Sequence, residues 1–209
     1  MILIGQYDSP FVRRVAVALQ IYGLAYEHRP WSTFSDAERL AQVNPLCRVP
    51  TFIADDGLVL VESGAILDYL DELAGEGNAL VARHGPDRRA VLRICALATG
   101  LCDKLVSLVY ERNLHQVTSE VWIARCESQI RAVLDALEAD RASRPQTYWS
   151  GDRLSHADIA VTCAMRFLGE AHGELNDPGR WPQLTAAAHR CELMDAFGAV
   201  VQPFIPPQR

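Results

Sequence analysis

The twenty residues from Asn44 to Ser63 constrain the fold more than any other part of the chain. They read Asn-Pro-Leu-Cys-Arg-Val-Pro-Thr-Phe-Ile-Ala-Asp-Asp-Gly-Leu-Val-Leu-Val-Glu-Ser. Prolines mark the loop, Pro50 opens a strand, Asp56-Gly57 signals a turn, and a second apolar run follows. Two apolar runs around an Asp-Gly turn predict a β-hairpin. Proline is tolerated as the first strand residue because its missing N–H costs no ladder bond there. The hairpin ends on Glu62 and Ser63, at the start of the next helix. A helix start offers unpaired N–H groups and the positive end of the dipole, so it holds anions.

An earlier stretch points to the same kind of site. Ser9-Pro10-Phe11 follows the apolar run Met1 to Ile4 and precedes Val12, Val15, Ala16 and Leu19. That spacing gives one apolar helical face. Ser9 is a natural N-cap and Pro10 a natural first helical residue. A hydroxyl at a strand-to-helix turn can serve chemistry, since the dipole favours an anion beside it. The physics of the residues alone favours a plain capping serine, since N-cap serines are common.

The first third alternates short strands and helices. Met1 to Gln6 is a strand, and Pro10 to Leu24 a helix with Gly23 as its C-cap candidate. Tyr26 to Arg29 is a second strand. Ser35 and Glu38 have capping-box spacing and open a short helix to Val43. The hairpin and a helix from Ser63 to about Ala74 complete an α/β layer on a mixed sheet. Gly75 to Pro86 is rich in glycine and lacks periodicity, so it reads as a boundary. Gly75-Glu76-Gly77-Asn78-Ala79-Leu80 is no dinucleotide fingerprint: Leu80 stands where the third glycine belongs, and a helix precedes it.

Beyond Asp87 the pattern is helical almost throughout. Val91, Ile94, Cys95, Ala98, Leu101, Cys102, Leu105 and Leu108 form one stripe, and Val121 to Leu137 another. Leu154 and Ile159 flank Ser155 as a hydrophobic staple, and Ser155 with Asp158 forms a capping-box variant. The helix from Asp158 to about Ala171 is apolar on most sides, which predicts a central, buried element. Pro203, Pro206 and Pro207 mark a mobile tail.

Composition removes several functions. The chain has 209 residues, 49% hydrophobic and 22% charged, with a net charge of -6 and no basic stripe. Nucleic acid is not an expected partner. No apolar run reaches membrane-spanning length, and the start lacks a basic region and a long apolar core, so neither a membrane nor a secretory route is expected. The six cysteines form no Cys-x-x-Cys pair and no zinc-ligand cluster with the six histidines. Reduced thiols, a cytoplasmic location and no metal are the expectation.

Taken together, Ser9-Pro10-Phe11-Val12-Arg13, Asn44-Pro45 to Val49-Pro50, Glu62-Ser63 and Leu154-Ser155-His156-Ala157-Asp158-Ile159-Ala160 resemble the glutathione transferase family. The resemblance covers nearly the whole chain and rests on four motifs in order. It implies a thioredoxin-like α/β domain over residues 1–75, built on a mixed four-stranded sheet. A linker over 76–86 and an all-helical domain over 87–209 would follow, the latter lining a second-substrate pocket. It also implies a serine-type active site, a homodimer, glutathione as co-substrate, and conjugation of glutathione to small electrophiles in detoxification.

By the same resemblance, Ser9 would donate its hydroxyl to the glutathione sulfur and act as the catalytic residue. Ser63 and the N–H groups behind it would hold the γ-glutamyl carboxylate. Glu62 would accept from the γ-glutamyl amine, and Val49 would offer its backbone to the cysteinyl part across a cis Val49–Pro50 bond. Phe11 and Arg48 join this glutathione-binding set. Tyr7, Tyr110, Asn113 and His115 are candidates for the second-substrate pocket. Tyr7 is also an alternative thiol donor, or a packing residue at a strand end. Departures from the family pattern are Cys47 and Arg48, where Gly and Lys are frequent, and the lack of a lysine between Trp31 and Asn44. A glutathione-dependent isomerase, a thiol reductase and a non-catalytic adaptor of the same fold are the alternatives. The isomerase favours a Ser-rich loop with a cysteine, absent from Asp8-Ser9-Pro10-Phe11, and the reductase a cysteine at position 9.

Overall fold

A computed structural model describes residues 1–207. Strand β1 (Ile2–Ile4) runs parallel to β2 (Glu27–Arg29) and antiparallel to β3 (Thr51–Ile53). Strand β4 (Val59–Val61) pairs with β3, which gives a mixed four-stranded sheet in the order β2-β1-β3-β4. Ile4 stands opposite Thr51, and Thr51 opposite Val61. That register means the chain leaves β1, enters β3 and leaves β4 at a single edge of the sheet. The hairpin turn is closed by Gly57, at φ 87, whose N–H donates to the Ala54 carbonyl at 3.0 Å.

Helix α1 (Pro10–Tyr22) follows β1. Ser9 caps it, accepting the Val12 N–H, and Gly23 ends it in the left-handed conformation at φ 64. Val12, Val15, Ala16, Val17, Ala18 and Leu19 are all fully buried. Helix α2 spans only Ala37–Ala41, shorter than the expected Ser35 to Val43. The Ser35–Glu38 capping box does not form. Asp36 takes the N-cap position, but its carboxylate accepts the Ser32 N–H at 3.0 Å and the Ser35 hydroxyl at 3.2 Å. Short polar side chains offer such local alternatives to helix, and here the alternative wins. Helix α3 (Ser63–Ala74) starts directly after β4.

The rest is helical: α4 (Gly85–Leu114), α5 (Glu120–Ala142), α6 (His156–Ala171), α7 (Pro182–Glu192) and the single turn α8 (Asp195–Gly198). Helix α6 is buried along almost its whole length. The Asp158 carboxylate accepts the Ser155 N–H and hydroxyl on one oxygen and the Trp149 N–H on the other. Val121 is exposed, so the α5 core stripe starts only at Cys126. No helix among the described residues is long and apolar enough to cross a membrane.

Two cores meet along α1 and α6. Sheet, α1 and α3 share one with Ile159, Cys163, Cys191 and Phe197, while α4 to α7 enclose the other. Polar bonds stitch the seam. Asp71 on α3 accepts His156 Nε2 at 2.9 Å, the Leu80 N–H at 3.2 Å and the Tyr22 hydroxyl. The tail departs from the mobile segment expected after Pro203. The Phe204 N–H donates to Glu170 and the Ile205 N–H to Asp8. The Phe204 ring meets Phe167 edge-on, with centroids 5.4 Å apart.

The seam carries a pH dependence. Burial pushes the His156 imidazole below its ordinary value, and Asp71 offsets only part of this. Burial raises the Asp71 carboxyl, but bonds from His156, Tyr22 and Leu80 bring it net below its ordinary range. A neutral imidazole donating Nε2–H to an ionised carboxylate fits both directions. The unfolded chain therefore binds a proton at His156 that the folded chain resists. Stability from this group is whole above about pH 6.5 and drains as pH falls. His172, lowered first by burial, acts with the same sign. The melting temperature should fall between about pH 6.5 and 5, and His156→Gln should flatten that limb. An unchanged slope in the variant would assign the effect to His172.

Candidate functional site

Three chain segments converge at the sheet edge defined by Ile4, Thr51 and Val61: the start of α1, the loop ahead of β3 and the start of α3. Gly5 lets the first two approach. Its φ is 131, and a Cβ there would lie 2.8 Å from the Val49 Cβ and 2.5 Å from Val12 Cγ2. Only glycine tolerates both the backbone angle and the contact.

Ser9 is half-buried at the tip of α1. Its Oγ accepts the Val12 N–H at 3.4 Å. A hydroxyl that accepts on a lone pair keeps its own proton for a partner outside the helix. Phe11, one residue into the helix, packs against the helical core. Asp8, beside Ser9, is raised by burial although it accepts backbone N–H groups from Ile205 and Ser9.

The loop ahead of β3 is organised by Asn44, a residue that had no assigned role beyond its motif. Asn44 is 1% exposed. Its Nδ2 donates to the Arg48 carbonyl at 3.0 Å and to Thr51 Oγ1 at 2.9 Å, and its Oδ1 accepts the Leu46 N–H at 3.0 Å. Thr51 Oγ1 also donates to the Arg48 carbonyl. Cys47 takes a positive φ of 49 in the bend, and the Val49–Pro50 peptide is cis. Val49 and Pro50 thus stand at the sheet edge beside Gly5, ahead of Thr51.

Glu62 enters α3 at φ 69, and Ser63, its first residue, is 3% exposed. The early N–H groups of α3 have no partner within the helix, which suits an anion. Ser63 Oγ accepts from Arg14 Nη1 at 3.3 Å. On the outer side, Arg48 Nη1 lies 3.2 Å from Glu62 Oε1. Asp103 on α4 senses both: burial raises its carboxyl, the Arg48 charge lowers it and the Glu62 charge raises it. The helical half therefore adds a carboxylate to this rim that sequence reasoning missed.

The second-substrate candidates separate. Tyr110 on α4 meets Phe34, from the loop before α2, edge-on with centroids 5.7 Å apart, and both rings are partly exposed. Asn113 Nδ2 donates to the Val109 carbonyl at 2.7 Å, and His115 Nδ1 lies 2.8 Å from Glu111 Oε2, toward the end of α4. Tyr7 faces β2 instead. Its ring stacks on His28 at 3.9 Å and its hydroxyl bonds that of Tyr26 at 2.8 Å. Burial first, and Tyr26 second, raise the Tyr7 phenol well above its ordinary value. Its hydroxyl is engaged with Tyr26 and its ring with His28. Trp31 lies between the Arg29 and Arg39 guanidinium groups. Among the described residues no group of His, Cys, Asp and Glu is arranged to hold a metal.

Known proteins share this architecture. The family description of the glutathione S-transferase N-terminal domain matches residues 3–78, and that of the C-terminal domain residues 120–187. A protein of Escherichia coli described as the uncharacterized GST-like protein YibF is 31% identical over 169 residues, 80% of this chain and 82% of its own. A maleylacetoacetate isomerase of Pseudomonas aeruginosa is 28% identical over 209 residues, 94% of this chain and 93% of its own. Among solved structures, a glutathione S-transferase of Methylobacterium radiotolerans in complex with glutathione sulfonate superposes with a TM-score of 0.90. It is 28% identical and covers 100% of this chain and 97% of its own. A glutathione transferase family member of Pseudomonas fluorescens with bound glutathione gives 0.83 at 32% identity, over 98% and 99% of the two chains.

The loop geometry makes its own prediction. Asn44→Ala would remove all three of its bonds, taking the acceptor from the Leu46 N–H and one donor each from the Thr51 hydroxyl and the Arg48 carbonyl, which keep their bond to each other, at about 1–3 kcal/mol in all. A denaturant midpoint lower by that free energy divided by the slope, with the slope itself unchanged, is the expected result. An unaltered midpoint would show that the loop holds its shape without Asn44.

Proposed function

The chain belongs to the glutathione S-transferase family, and on that premise we propose that it is a serine-type transferase joining glutathione to small electrophiles. The observation that carries this reading is Ser9 at the tip of α1, its Oγ occupied as an acceptor by the Val12 N–H and its proton free to donate. Ser63, at the start of α3 on the same sheet edge, supplies the carboxylate hold.

In this reading the γ-glutamyl carboxylate sits on Ser63 and the first N–H groups of α3. Glu62 accepts from the γ-glutamyl amine, Arg48 faces a glutathione carboxylate, and Val49 pairs with the cysteinyl backbone ahead of Pro50. The glutathione thiol releases its proton to solvent. Ser9 donates a hydrogen bond to the thiolate, which lowers the thiol pKa and raises the share of nucleophile. The thiolate then attacks the electrophilic carbon, forming a sulfur–carbon bond while the leaving group departs with its electron pair. Ser9 is not itself the nucleophile, since among the described residues no His–Asp pair bonds it to take its proton. The electrophile binds toward Phe34 and Tyr110, with Asn113 and His115 further along α4. The domain division at about residues 1–75 and 87–209, a two-fold dimer and a cytoplasmic, detoxifying role complete the proposal.

A second reading, a glutathione-dependent isomerase, is favoured by the Pseudomonas aeruginosa relative named for that activity. It would use the same thiolate to add to a double bond and leave again, so substrate assays separate the two. Calorimetry should find glutathione bound, with Ser63→Ala weaker by roughly 1.5–3 kcal/mol, the scale of a hydrogen bond to a charged group. The wild type should conjugate an activated aryl chloride and leave maleylacetoacetate unchanged. Isomerase turnover without conjugation would select the second reading. Unchanged affinity in Ser63→Ala would seat the carboxylate elsewhere, and glutathione binding without turnover of either substrate would make the chain an adaptor.

A further inference from the structure

Arg14 is the least expected side chain near the site. It projects from the second turn of α1 into the seam, and it is only 5% exposed. Its Nη1 donates to Ser63 Oγ at 3.3 Å, and its Nε is buried without a partner. The Cys95 thiol of α4 lies against the same guanidinium. Nearby, Arg13 pairs with Glu192 and Arg88 with Asp68, while Asp71 accepts from the neutral His156 imidazole. Among the described residues Arg14 enters no ion pair. A guanidinium removed from water without a directly bonded carboxylate is costly.

We infer that Arg14 is the buried positive charge that completes the carboxylate site at the start of α3, acting through Ser63; the inference rests on the glutathione reading above. Ser63 Oγ accepts from Arg14 on one lone pair, so its single proton points elsewhere. The unpaired N–H groups of α3 begin at the same residue. A carboxylate seated there receives the Ser63 hydroxyl proton, the helix N–H groups and the field of a cation held behind them. The low-dielectric seam leaves that field poorly screened. Arg14 does not touch the ligand. It is a positioning residue that orients the Ser63 hydroxyl and supplies the missing charge.

Helix α1 then serves both ends of the ligand. Ser9 at its tip faces the sulfur, and Arg14 in its second turn backs the carboxylate. The other wall of the seam forms a cleft of about 370 Å³ between α1, α3 and α4, lined by Arg14, Asp68, Asp71, Arg88, Cys95 and His156. Its two carboxylates bond Arg88 and His156, and neither forms a direct ion pair with Arg14.

The test compares glutathione with the analogue in which hydrogen replaces the γ-glutamyl α-carboxylate, in wild type, Arg14→Gln and Arg14→Lys. Arg14→Gln should bind glutathione about tenfold more weakly or worse while its affinity for the analogue stays within about twofold. KM for glutathione should rise in parallel, with kcat at saturation less affected. Arg14→Lys, which keeps the charge but loses the planar fork, should fall between. It carries the test alone if Arg14→Gln does not fold. Equal losses for both ligands would show a merely structural role, and no loss for glutathione would show no role; either result overturns the inference. A wild type that binds neither ligand overturns the proposed function, and this inference with it, without recourse to any variant.

Discussion

Arg13 reaches from α1 to Glu192 at the end of α7 with two hydrogen bonds of 2.6 and 2.7 Å. Its Nε donates to the Val200 carbonyl at 3.0 Å, and its Nη2 also to that of Phe197 at 3.2 Å. Every nitrogen of a side chain only 2% exposed thereby donates across the seam. Fully satisfied, bidentate Arg–carboxylate pairs specify geometry as well as adding energy. Removing the carboxylate would strand a guanidinium only 2% exposed, and a buried charge left unpaired typically costs about 3–5 kcal/mol. The position of α1 against the helical half depends on this bond, and the site depends on the position of α1.

The site is built from helix and strand ends held at one edge of a small sheet. Ser9 caps α1, Ser63 begins α3, and Pro50 precedes β3. Each of these ends is shaped by backbone chemistry that only a few residue types can supply: a capping hydroxyl, a glycine at φ 131, a left-handed Glu62. Such strained or specialised positions gather where function is placed. Around them lie charges, with Arg48 paired to Glu62 and both felt by Asp103 on the open side, and Arg14 behind Ser63 on the closed side.

Much of this was legible in the residues because capping and turn chemistry are local. Ser9-Pro10 and Gly23 bounded α1, Asp56-Gly57 announced the hairpin, and Ser155 with Asp158 announced the start of α6. What escaped were interactions whose partners lie far away in sequence. No spacing rule gave Arg13 or Arg14 a partner, because Glu192 lies 179 residues on and Ser63 49 residues on. One signal was available: apolar residues run unbroken from Val15 to Leu19, so α1 has no solvent face and its arginines must be buried. The tail and α2 failed for the opposite reason. Local proline and capping rules were applied where Asp8, Glu170 and Asp36 take competing bonds. The direction of Tyr7 followed from its stack on His28, which no spacing rule contains.

The central claim is that Ser9 activates a bound thiol from the tip of α1. Thiolate absorbance of glutathione bound to the protein, followed against pH in wild type and Ser9→Ala, tests it most directly. The account predicts that the variant still binds glutathione but that its bound thiol titrates at higher pH, with turnover lost near neutrality and recovered as pH rises. Superimposable titration curves in the two proteins would contradict it and remove Ser9 from the mechanism.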